Sequence, residues 1–123
     1  MLWKHTCFEA FIGRSQAGYT EYNFSPSGAW ASYFFDQYRD GMRPATWLAN
    51  PVVQVAHQGV FSLTTQIDLT PHWRDGASHL ALSAVIEEID GTKSYWALAH
   101  APGPPDFHNA DCFIARLPAP EGA

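Results

Sequence analysis

The sequence predicts a single all-β domain, a jelly-roll-like antiparallel β-sandwich. Short runs in which apolar and polar residues alternate recur along the chain, which is the period of a strand with one face buried. Nine glycines and nine prolines punctuate the 123 residues, as tight turns between short strands require. Asp90-Gly91, between two apolar runs, is a strong hairpin signal.

The first strand is predicted from about His5 to Ile12, stopping at Gly13, and a polar turn through Arg14, Ser15, Gln16 and Gly18 leads to a second, Tyr19 to Phe24. Ser25-Pro26-Ser27-Gly28 has the residues of a tight turn, and ring-dense Ala29 to Phe35 reads as a third strand. Asp36 to Pro51 reads as a loop, with a helical turn over Phe34 to Arg39 as the alternative. Val52 to His57 is a short strand. Phe61, Leu63, Thr65, Ile67 and Leu69 then alternate with polar residues in the cleanest period-two pattern of the chain. Thr70-Pro71 opens a connector ending at Gly76, and Leu80, Leu82, Ala84 and Ile86 mark another strand. Tyr95 to His100 returns from the hairpin, a Pro-rich loop spans Ala101 to His108, and Cys112 to Leu117 closes the set. Residues 1–118 form the domain and 119–123 a flexible tail.

Composition excludes several functions. A net charge of −5 with seven Lys and Arg provides no basic face for a nucleic-acid backbone. No apolar stretch reaches the ~18 residues of a spanning helix, and no basic amphipathic segment marks a membrane surface. The first residues do not form a signal peptide; the sequence leaves the compartment open, with the cytoplasm slightly favoured. Cys7 and Cys112 are expected as buried free thiols, with a bond joining them as the alternative.

In the first strand Trp3, His5, Cys7, Glu9 and Phe11 share one parity, and Thr6, Phe8, Ala10 and Ile12 the other. The even set is expected to enter the core, leaving Trp3 and Glu9 on the opposite face, roughly 20 Å apart. A flat ring and a carboxylate on a rigid sheet suit a polyhydroxylated ligand. His100, Asp106 and His108 lie in one proline-stiffened loop, and imidazole with carboxylate suits Zn²⁺ or a general base. The histidines bonding to their own loop is the plainer reading. Phe107 in that loop can wall a ligand slot. Ser25 and Ser27 lack a nucleophile elbow. Glu9 with Glu21 has the composition of a glycosidase pair, but such acids are usually solvated strand residues, so no catalysis is expected. Glu87, Glu88 and Asp90 form an acidic hairpin end, a solvated rim with Ca²⁺ as the alternative.

Leu2-Trp3-Lys4-His5-Thr6-Cys7-Phe8-Glu9-Ala10-Phe11-Ile12 resembles the Trp-to-Glu-x-Phe-Ile strand of family 9 carbohydrate-binding modules and their DOMON-like relatives. Tyr19-Thr20-Glu21-Tyr22-Asn23-Phe24-Ser25-Pro26, followed by Gly28 and Trp30, resembles the next block of that group. Trp96-Ala97-Leu98-Ala99-His100 and Pro105-Asp106-Phe107-His108, with Phe113 and Leu117, extend the resemblance to a bacterial subgroup of small DOMON-like proteins. The resemblance implies a sandwich in which two rings clamp a terminal sugar. Trp3 falls at the first ring, Glu9 at a ligand-bonding carboxylate, Phe107 where the group carries a Trp, and Asn23 where it carries an Arg. Phe stacks on sugar less well than Trp, and Asn has neither the charge nor the reach of Arg, so modest affinity is expected. The haem-binding cousins use Met and His, and with Met42 in a loop haem is not expected. The resemblance further implies strands upstream of the Trp3 motif. A sheet lacking them exposes an edge or a core face and self-associates.

The expectation is therefore a non-catalytic module binding a small carbohydrate or similar polar ligand, without cofactor, through Trp3, Glu9, Asn23 and Phe107 with the His100, Asp106, His108 loop beside them. The alternatives are a metal or other enzyme site at that loop, and a purely structural or partner-binding domain.

Overall fold

The computed structural model describes residues 5–13 and 18–118. The expected clamp ring Trp3, the turn at 14–17 and the tail at 119–123 lie outside the described residues. The chain is an all-β antiparallel protein. In order its strands are β1 (Cys7–Gly13), β2 (Tyr19–Phe24), β3 (Trp30–Phe35), β4 (Arg43–Pro44), β5 (Val52–Gln58), β6 (Val60–Gln66), β7 (His79–Glu87), β8 (Lys93–Ala97) and β9 (Ala115–Arg116). One short helix, α1 (Thr70–Arg74), precedes β7. The main sheet runs β4-β3-β2-β1-β7-β8, with β9 also paired to β7, and β5 and β6 form a second, two-stranded sheet.

The central position of β1 decides the burial pattern. Its even residues Ala10 and Ile12 join Tyr22 and Phe24 of β2 in a core capped by Val53, Leu63, Ile67 and Leu69, from β5, β6 and the segment after it. Its odd residue Phe11 joins Tyr19, Phe35, Ala81 and Val85 in a second core, roofed by Ala101, Phe107 and Cys112 of the long segment after β8. The expectation that the odd set presents Glu9 on a face opposite the core is thus corrected. Cys7, Glu9 and Phe11 are all buried, because a central strand covered on both faces has no solvent side. Burial of a ring such as Phe11 contributes about 1.5–3 kcal/mol.

Several boundaries also differ. No helical turn forms over Phe34 to Arg39; β3 runs to Phe35, and a Gln37–Asp40 bridge closes a tight turn. The connector at Thr70-Pro71 is a helical turn instead, with proline in the first turn, where its missing N–H costs nothing. The last strand shortens to β9, because Asn109 accepts a bond from the Asp111 N–H (2.9 Å) and starts a 3₁₀ turn over Ala110–Cys112. Gly13 ends β1 under steric pressure, since a Cβ there would sit 2.9 Å from that of Tyr19. Cys7 and Cys112 are free and buried, and burial, then the charge of Glu9, pushes the Cys7 thiol up to about 12.

Helix α1 is tied to the even core by one buried bond, in which the Tyr22 hydroxyl meets His72 Nε2 at 2.7 Å. Burial holds the His72 pKa below its usual value, so the ring stays neutral and accepts. Loss of His72 strands a buried hydroxyl, which costs about 1–3 kcal/mol. His72→Ala is therefore expected to lower urea-unfolding stability by that amount at pH 7. Because the folded pKa is depressed, this group's contribution is present above the unfolded value of about 6.5 and lost as pH falls below it. The variant lacks that share of the acid loss.

Candidate functional site

The roofed face of the main sheet carries a polar row at its centre. Strand register sets Glu9 opposite Asn23 on β2 and opposite Ser83 on β7. Ala31 and Ala97 continue the row outward. Glu21 lies one pair further along, beside Phe11. Period two puts Cys7, Glu9 and Phe11 of β1 on the same face as Tyr19, Glu21 and Asn23 of β2. Glu9, Glu21 and Asn23 are 7%, 4% and 0% exposed, so these carboxyls are not the solvated strand acids that the sequence implied.

Donors converge on Glu21. Asn23 Nδ2 donates to its Oε2 at 3.3 Å, and His108 Nε2 stands 3.2 Å from Oε1. Glu9 lies on the same face of the neighbouring strand β1. Tyr19 Oη and His108 Nδ1 are 2.7 Å apart, and the Arg39 backbone N–H donates to Tyr19 Oη at 3.0 Å. With the hydroxyl donating to Nδ1, the imidazole carries its hydrogen on Nε2, toward Glu21. Arg39 presents its N–H through a left-handed backbone, φ 52°. Edge-on contacts from Phe11 and Phe35, at 5.1 and 5.0 Å between ring centres, hold the imidazole in place.

Above this floor opens a cleft of about 350 Å³, reached by Glu9, Glu21, His108 and Arg39 and walled by Phe35, Val85, Tyr95 and Phe107. Tyr95 is 43% exposed, with its ring 6.2 Å from that of Phe107. At the rim, Arg39 donates to Asp106 Oδ1 through Nε (3.2 Å) and an Nη (2.8 Å), while Tyr38 donates to Oδ2. Burial works against the Asp106 charge, but the bonds from Tyr38 and Arg39 outweigh it and hold the carboxyl below the usual range. For Glu9 the balance runs the other way. Burial first, then the charge of Glu21 and its hydrogen bond, raise Glu9 to about 8, with Arg39 opposing only in part. Glu9 is the acid that keeps its proton.

The residues expected from sequence are thus divided. Glu9, Phe107 and His108 line the cleft. Asn23 lies in the polar row with its amide on Glu21, and Asp106 acts at the rim through Arg39. His100 is exposed, its ring 5.9 Å from Phe107, and does not line the cleft. The structure does not bring His100, Asp106 and His108 together: the carboxylate bonds Arg39 and Tyr38, His108 bonds Tyr19 and faces Glu21 at 3.2 Å, and His100 stands apart. Among the described residues no group of three or more His, Cys, Asp or Glu is placed to hold a metal. At the acidic hairpin end, Glu87 faces His5 (3.3 Å) and Lys93 (3.8 Å), and Asp90 caps the turn through the Thr92 N–H (2.9 Å). Tyr19 and Glu21 were findable, since they share the parity of Asn23 on one strand. Arg39 and Tyr95 carry no local signal; one reaches the cleft from a turn, the other from the far side of the sheet.

Compared with protein-family models, curated proteins and solved structures, the chain matches none of them.

The raised acid makes stability pH-dependent in a defined sense. Below about 4.5 Glu9 is protonated in both the folded and unfolded chain. Between about 4.5 and about 8 only the folded chain keeps the proton, so its contribution falls as pH rises across that window, by up to roughly 1.4 kcal/mol per unit of separation. Denaturation from pH 5 to 8 is expected to show this decline, and Glu9→Gln is expected to remove most of it.

Proposed function

We propose that this protein is a non-catalytic binding domain for a small carbohydrate or similar polar ligand, held in the cleft over Glu9. One observation carries the reading: carboxyl and imidazole groups floor a cleft of about 350 Å³ whose walls are rings. That volume falls within the range of small-molecule sites, which pair an apolar lining with a few placed polar groups. Tyr95 and Phe107 supply ring faces and edges for the C–H side of a sugar, while Glu9 and Glu21 accept from its hydroxyls. The ring pair differs from the Trp3 and Phe107 pair implied by the resemblance to family 9 carbohydrate-binding modules and DOMON-like proteins.

The carboxyl geometry favours binding over hydrolysis. Glycosidase carboxyls face each other from opposite sides of the scissile bond, about 5 Å or more apart, whereas Glu9 and Glu21 stand side by side on one sheet face, on neighbouring strands. Few groups contact so small a ligand, so affinity is expected between micromolar and millimolar, about −8 to −4 kcal/mol.

The test is an amide NMR titration of the whole chain with a panel of neutral, acidic and amino monosaccharides. Saturable shifts confined to the cleft are expected with at least one of them. Tyr95→Ala is expected to weaken that binding about tenfold while the melting temperature stays nearly unchanged, because the ring is half-exposed. Shifts elsewhere, or none with the whole panel, overturn the reading.

A further inference from the structure

The even face of the main sheet is only half covered. The β5-β6 sheet caps Ala10 and Ile12 of β1 with Tyr22 and Phe24 of β2, and its rim reaches Phe61, stacked on Phe8 at 5.7 Å. Beyond Phe8 the face continues through Ala84 to Trp96, paired in turn across β1, β7 and β8. A parallel row runs through Leu82 to Leu98, whose N–H donates to the Leu82 carbonyl at 3.1 Å. Leu82, Leu98 and Trp96 are 42%, 49% and 62% exposed. Large apolar side chains grouped on one sheet face mark an interaction surface.

The same margin carries an open edge. Among the described residues no strand lies outside β8. The Leu98–Leu82 and Glu88–Thr92 bonds turn the even residues of this arm toward β7, so alternation points the N–H and C=O of Tyr95 and Ala97 outward. Such an edge is a template for another extended strand. Charge selects which strand. At its hairpin end the edge is acidic, with Glu87, Glu88 and Asp90. At the other end, on the same side of β7 and in line with β8, β9 presents Arg116 opposite His79. Arg116 is exposed and, among the described residues, in no ion pair. The length of β7 keeps the two ends roughly 27 Å apart, so they cannot meet within one chain.

We propose that the chain forms a two-fold dimer through antiparallel pairing of its β8 edges, a second copy being the occupant of this margin. With the axis at Tyr95, the outward backbone of Tyr95 exchanges both bonds with its counterpart, and Ala97 lies opposite Lys93 of the other copy. The two Trp96 rings then stand diagonally across the axis on the uncovered face, within reach of each other. Each Asp90 turn comes beside Arg116 of the other copy, because β9 continues the line of β8 past Ala97. The interface is self-complementary, as two-fold symmetry requires. Trp96 and Tyr95 point to opposite faces of β8, so the apolar contact lies away from the cleft and the dimer does not depend on what the cleft binds.

The experiment is sedimentation velocity on the whole chain from about 1 to about 500 µM, the range in which a small interface associates. A concentration-dependent shift from one chain to two is expected, weakened about threefold or more by 1 M salt. Trp96→Ser is expected to weaken the dimer about tenfold or more, and Arg116→Glu about threefold or more. Adding Asp90→Asn to Arg116→Glu keeps the acceptor for the Thr92 N–H and is expected to recover most of the Arg116→Glu loss. Two sites so far apart in one chain couple in this way only across an interface. Melting curves of the variants verify that the fold is kept. A chain monomeric throughout the range overturns the dimer and leaves the edge to an extended segment of another protein. A dimer indifferent to Trp96→Ser, or one in which the Arg116 and Asp90 effects simply add, overturns the β8 pairing.

Discussion

Burial of the central strand on both faces is the constraint from which the rest of this structure follows. β1 lies between β2 and β7, with the β5-β6 hairpin over one face and the segment after β8 over the other. A strand so placed is normally apolar throughout, and β1 nearly is: Cys7, Ala10, Phe11 and Ile12 are all buried. Glu9 breaks the rule in the middle of the strand. A carboxylate without a counter-charge is costly in such surroundings, so the fold keeps a proton on Glu9.

That arrangement propagates outward through hydrogen bonds. Glu21 lies beside Glu9, accepts from Asn23 and faces His108 at 3.2 Å; Tyr19 fixes His108; the turn at Arg39 fixes Tyr19; and Asp106 fixes the Arg39 side chain. The chain of contacts crosses β1, β2, the turn after β3 and the roof segment, so the roof is held to the sheet by polar bonds as well as by Phe107 and Cys112. The cleft remains where the roof stops short of Tyr95 and Val85. Its polar floor is a product of the same network that ties the roof down.

Much of the sheet was legible in the sequence because its punctuation is local. Tyr19 to Phe24 was read to the residue, bounded by Gly18 and by Ser25-Pro26, and Asp90-Gly91 forms the expected hairpin, with Gly91 at φ 90°. Burial was less legible. Alternation in β1 looks like a strand with one wet face, and only the roof, folded back from far along the chain, makes the odd face a core. The same long-range packing explains the site. Glu9, Phe107 and His108 were visible as candidates, whereas Arg39 and Tyr95 become neighbours of Glu9 only once the sheet order is known. His100 was grouped with His108 by closeness in the chain, yet the intervening loop directs the two rings to different places.

The account depends most on Glu9 holding a proton inside the cleft at neutral pH. The direct measurement is the carboxyl ¹³C shift of Glu9 followed by NMR from pH 4 to pH 10 on the folded chain. A midpoint near 8 is the predicted result. A midpoint in the ordinary glutamate range, about 4.3, would contradict the buried acid pair and with it the cleft chemistry built on it.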